Sequence, residues 1–160
     1  MNTAARERRV ATAVLAAVLA LACPAAGATL GEPVATVERD RAQVKGQHRV
    51  AQSQSARFQV HAITMADGSS IREFVAPGGV VFAVAWSTRL KPRLETLLGA
   101  QARRYAAAAS IAMSAPGIRH DVSLSSDDLV VRASAHLNAH IGLAYLRSLV
   151  PEGVRIDELH

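Results

Sequence analysis

Between Phe58 and Trp86 the chain changes register every second residue, and that pattern constrains its fold more than any other feature. In Phe58 to Met65, the residues Phe58, Val60 and Ala62 alternate with Gln59 and His61. Ile71, Glu73 and Val75 then alternate with Arg72, Phe74 and Ala76. Successive side chains on a strand point to opposite faces, so a period of two predicts strands. Asp67-Gly68 and Pro77-Gly78-Gly79 separate the segments and are tight-turn signals. Val80 to Trp86 (VVFAVAW) is almost wholly apolar, as a strand covered on both faces must be. These three segments predict an antiparallel meander.

The pattern then lengthens. Pro92 suits a helix start, and Leu94, Leu97, Leu98, Ala102 and Tyr105 fall along one helical face. Gly99 weakens that helix in the middle and marks a kink or a break. Leu124 to Val131 begins a second strand region. In Leu137 to Tyr145 apolar residues alternate with Asn138, His140 and Gly142, which favours a further strand. A helix over 134–149 is the rival, because Leu137, Ile141, Ala144 and Tyr145 also fit a period of 3.6. Upstream, Glu32 to Lys45 contains a short helical stretch with Pro33 in its first turn and Gly46 as its stop. The expected fold is α+β: an antiparallel sheet of about five strands with one or two helices packed on one face. Its order is helix, meander, helix, hairpin, cystatin-like by analogy only.

The N-terminus is expected to be an address. Arg6, Arg8 and Arg9 precede an apolar run from Val10 to Ala22, and Ala26-Gly27-Ala28 offers a cleavage site. Basic start, short apolar core and small-residue exit are the parts of a secretory signal peptide. The run is shorter than the ~20 residues a membrane-spanning helix needs. The expected division is therefore a signal peptide at 1–28, an N-terminal helix and polar linker at 29–56, one α+β domain at 57–154 and a loose tail at 155–160. The protein is then periplasmic or secreted, with no transmembrane helix after cleavage. Lipid attachment at Cys23 is a rival address, although Ala20 and Pro24 suit it poorly.

Cys23 is the only cysteine, so cleavage after Ala28 removes thiol catalysis, disulfides and thiolate metal sites from the mature chain. An apolar fraction of 50% excludes disordered and fibrous classes.

Three stretches resemble a bacterial family, the domain of unknown function 2844. They are Ser70 to Trp86 (SIREFVAPGGVVFAVAW), Leu94 to Gly99 (LETLLG) and Asp128 to Val154 (DLVVRASAHLNAHIGLAYLRSLVPEGV). The hairpin ending at Trp86 is the most specific piece. Where similar proteins often have a proline after the Ala-Tyr-aliphatic segment, this chain has Arg147. The resemblance implies a small exported protein of proteobacterial type and no particular activity.

Four residues are candidate functional groups: His136, His140, Arg132 and Trp86. On a helix the two histidines would lie about 6 Å apart and could share a zinc ion. On one strand they would share a face about 13 Å apart, too far for one metal. In the strand reading they are polar residues of an open sheet face, beside Arg132 and Ser134. The metalloprotease glutamate is missing between them, there is no G-x-S-x-G elbow, and Pro77-Gly78-Gly79 lacks the lysine of a phosphate loop. Glu73 and Glu95 could serve as paired carboxylates only if folding brings them together. Trp86 is expected in the core, with a cleft wall as its alternative.

Arg89, Lys91, Arg93, Arg103 and Arg104 form a basic cluster around the second helix. An anionic surface such as phospholipid or lipopolysaccharide headgroups suits it better than nucleic acid, which wants more stacking aromatics. No catalytic residue, metal or cofactor is assigned. The leading expectation is a non-catalytic exported module that binds an envelope protein or surface. The alternatives are a small hydrolase using His136 or His140, and a small-ligand carrier with a pocket between helix and sheet.

Overall fold

The computed structural model describes residues 30–35, 46–113 and 121–159. Seven strands form one antiparallel sheet: β1 (Gln47–Gln52), β2 (Gln59–Thr64), β3 (Ser70–Val75), β4 (Val81–Thr88), β5 (Asp121–Ser125), β6 (Leu129–His136) and β7 (Ala139–Leu146). Their spatial order is β1-β2-β3-β4-β7-β6-β5. The chain builds half of the sheet as a meander, crosses over it as helix, and adds the other half from the far edge inward. Two helices make the crossover, α1 (Leu94–Leu98) and α2 (Ala102–Met113), joined by a 3-10 turn at Gly99–Gln101. Gly99 has φ 48°, the left-handed region that glycine enters without steric cost, so the helix breaks where the sequence placed its weak point.

β4 is central, and both of its faces are covered. On the helix side, Val84 and Trp86 pack with Ile63, Leu98, Tyr105 and Val131. On the other side, Phe58, Phe74 and Phe82 form an aromatic cluster with Tyr145 and Val130. Phe58 meets Phe74 and Phe82 edge-on, with centroids 5.8 and 5.6 Å apart. This two-sided burial explains the unbroken apolar run of β4.

The α+β plan therefore holds, with seven strands in place of about five. The linker expected at 46–56 contains β1, which pairs with β2 from Gln47↔Thr64 to Gln52↔Gln59. β1 is an edge strand and almost wholly exposed, so it shows no apolar alternation and is held chiefly by the backbone ladder. Residues 134–149 resolve as the end of β6, a tight turn at Leu137-Asn138, and β7, which rules out the helical rival.

Pro33 bridges Val80 beside β4 two residues before the helical Ala35, and Leu30 upstream is 2% exposed in the core. One further expectation is corrected. The C-terminal residues are not a loose tail. Two 3-10 turns, Arg147–Leu149 and Ile156–Glu158, carry the chain over the aromatic cluster, and Leu159 is 2% exposed within it. A six-residue tail with two apolar positions gives no periodic signal, so its anchoring could not be read in advance. The expected signal peptide at 1–28 lies outside the described residues, as does most of the expected helix in 32–45.

Candidate functional site

A groove of about 470 Å³ lies between the helices and the half of the sheet formed by β4, β7, β6 and β5. Strand alternation decides which side chains reach it. On β4, Val84 and Trp86 face the helices, so Trp86 forms part of the floor. In register beside it, Gly142 of β7 faces the same way, and so do His140, Ala133 and Ala135. α1 and α2 supply the opposite wall with Leu94, Ala102, Tyr105 and Ala106.

The floor of the groove is shaped by one glycine. A β-carbon at residue 142 would fall onto Cζ2 and Cε2 of the Trp86 indole. The missing side chain lets the indole lie across β7, and small alanines beyond it keep the groove open. Trp86 is 3% exposed, so it is both core and groove lining. The sequence reading had set these two roles against each other.

The groove is apolar in its depth and polar at its rim. Lys91, Glu95 and His140 stand at the rim, beside Pro92. Thr88 holds this rim together: its hydroxyl donates to the Leu90 carbonyl at 2.8 Å and lies 3.4 Å from the His140 carbonyl. Burial pushes the Tyr105 phenol above its ordinary pKa. A size of this order is usual for small-molecule sites, which are mostly apolar with a few placed polar groups.

The four sequence candidates divide between the two faces. His140 and Trp86 face the groove. His136 pairs with Ala139, and Arg132 with Leu143, which places both on the opposite face. The two histidines flank the turn at Leu137-Asn138 on different strands, so they do not share a face as one strand would require. They cannot share a metal ion across the sheet. Among the described residues, no group of three or more His, Cys, Asp or Glu side chains could hold a metal. Glu73 is fully buried on β3 and Glu95 is exposed on α1, so the two carboxylates form no common solvent-facing site.

One cluster was missed in the sequence. His61 of β2 lies opposite Glu73 of β3, and its Nδ1 is 3.1 Å from Nε2 of His48 on β1. The two imidazoles stack with centroids 5.1 Å apart. Reading 46–56 as a linker hid this pair, because nothing local marks His48 as lying on a strand beside His61.

Among the described residues no helix is long and apolar enough to cross a membrane. The model of a family described as a protein of unknown function (DUF2844) matches residues 26–159. No curated protein and no solved structure matches the chain.

Proposed function

This chain belongs to the DUF2844 family, and we propose that it is an exported, non-catalytic binding module whose ligand site is the groove between its helices and sheet. The observation that carries this reading is the groove itself: an apolar floor built on Trp86 and Tyr105, with Lys91 and His140 at the rim. Such a site suits a small amphiphile, with an aliphatic body against the indole and an anionic head near the lysine. This joins two of the sequence expectations, the binding module and the small-ligand carrier. A hydrolase using His136 or His140 has less support, because the two stand on opposite faces and His140 is the one that lines the groove.

Export is supported by the basic start, the apolar run and the Ala26-Gly27-Ala28 exit. Leu30, buried in the core two residues later, is where a chain cleaved at that exit would need its packing to begin.

Trp86 is the only tryptophan, so its fluorescence reports directly on the groove. Titration with decanoate is expected to give a saturable shift of that emission. Ala106→Phe, which fills the groove from α2 without adding a tryptophan, is expected to abolish it. A linear, non-saturating response, or an identical response in Ala106→Phe, would remove the groove as the ligand site.

A further inference from the structure

The end of the sheet where β4 stops and β7 begins differs from the rest of the surface. Among the described residues four large hydrophobic side chains are exposed, and three of them lie at this end: Leu90 at 78%, Leu137 at 101% and Ile141 at 55%. The pairing of Thr88 with His140 brings Leu90, just past β4, beside the start of β7. Leu137 forms the tip of the β6–β7 hairpin, and Ile141 is the third residue of β7. Exposed Arg89, Lys91 and Arg93 surround Leu90, and exposed His136 precedes Leu137.

Leu137 also has φ 48°, a left-handed conformation that costs a branched side chain energy and that glycine or asparagine adopts easily. A hairpin tip selected for folding alone has no use for an exposed leucine in that conformation. Strain at an exposed apolar position points outward, to something the side chain touches.

We infer that this end of the sheet is a membrane-docking edge for a bilayer with anionic phosphate headgroups. Charge complementarity selects the occupant: Arg89, Lys91 and Arg93 sit at headgroup level while the leucines enter the interfacial layer. Three separate apolar residues among cations fit a fluid surface, whereas a protein partner would require a continuous packed patch. With so few anchors, docking is weak and reversible. Lys91 and His140 belong both to this edge and to the groove rim, so a docked molecule presents the mouth of its groove to the bilayer. The inference does not rest on the groove's ligand.

The test is flotation of the protein, as processed by its own cell, with vesicles of phosphatidylglycerol and phosphatidylcholine, against vesicles of phosphatidylcholine alone. Binding is expected only to the anionic vesicles, and is expected to weaken as salt rises. Leu137→Asn is expected to weaken it about fivefold while keeping the fold, because asparagine accepts the left-handed conformation. Lys91→Gln and Arg93→Gln are each expected to cost about fivefold as well. Equal binding to both vesicle types, no binding to either, or binding unchanged in all three variants would overturn the inference. None of those results touches the decanoate titration, so the two readings can fail separately.

Discussion

Trp86 and Gly142 face each other across the β4–β7 ladder, and the indole occupies the space that a side chain at residue 142 would need. The glycine that interrupts the apolar pattern of β7 is thus the counterpart of the tryptophan that ends the apolar pattern of β4. Gly142→Ala is expected to destabilise the fold by about 2 kcal/mol, the usual order for overpacking a filled site. Urea unfolding followed by far-UV circular dichroism checks this, because that signal survives in variants without the only tryptophan. In a Trp86→Leu background the same glycine substitution is expected to cost much less, since neighbours that share a site do not add. A full, additive cost would show that the indole is not what excludes the β-carbon.

The other side of the sheet depends on the last turn of the chain. Leu159 closes the cluster of Phe58, Phe74 and Phe82, and Phe82 is fully buried beneath it. Leu159→Ala is expected to cost about 3 kcal/mol, within the range for removing a buried leucine. Ile156→Ala, at a partly buried position, is expected to cost clearly less. The urea midpoints of the two variants decide the matter. Equal and small effects would mean that the C-terminal turns only rest on the cluster.

How much of this was legible follows from where each signal arises. The meander, the central β4 and the helix break at Gly99 rest on local rules of alternation, turn chemistry and backbone freedom, and each appears where those rules placed it. β1 obeys no local rule, since an edge strand with exposed residues is held chiefly by its neighbour's backbone. The burial of Leu30 and Leu159 depends on which face of the sheet remains uncovered, which no window of sequence contains. The site shows the same division. His140 and Trp86 were visible as candidates, but their association came from the β4–β7 register. The separation of His136 from His140 came from a two-residue turn at Leu137-Asn138, where leucine is not a usual turn residue.

Arg147 has a structural task beside an acid. Its guanidinium donates to the carbonyls of Ser126 and Asp127 at 2.6 and 3.0 Å and so clamps the β5–β6 turn. The neighbouring Asp128 carboxylate accepts the Ser148 backbone N–H at 2.7 Å and the Ser148 hydroxyl at 2.8 Å. These hydrogen bonds, the backbone one foremost, hold the Asp128 carboxyl below the usual carboxylate range. Asp67 is held low in the same way by the backbone N–H and hydroxyl of Ser69. A group whose pKa is depressed by folding adds stability that is complete above its unfolded pKa. That stability disappears as pH falls through the folded value. The wild-type urea midpoint is therefore expected to fall as acid is added from the ordinary carboxylate range downward. Asp128→Asn, which cannot ionise, is expected to start lower at neutral pH and to fall less steeply, so that the gap between the two curves narrows in acid. Asp67 is exposed and Asp128 only partly buried, which keeps the effect modest. A gap that stays constant across the acid range would show that the charge on Asp128 does not contribute, and that its hydrogen-bond geometry alone holds Ser148.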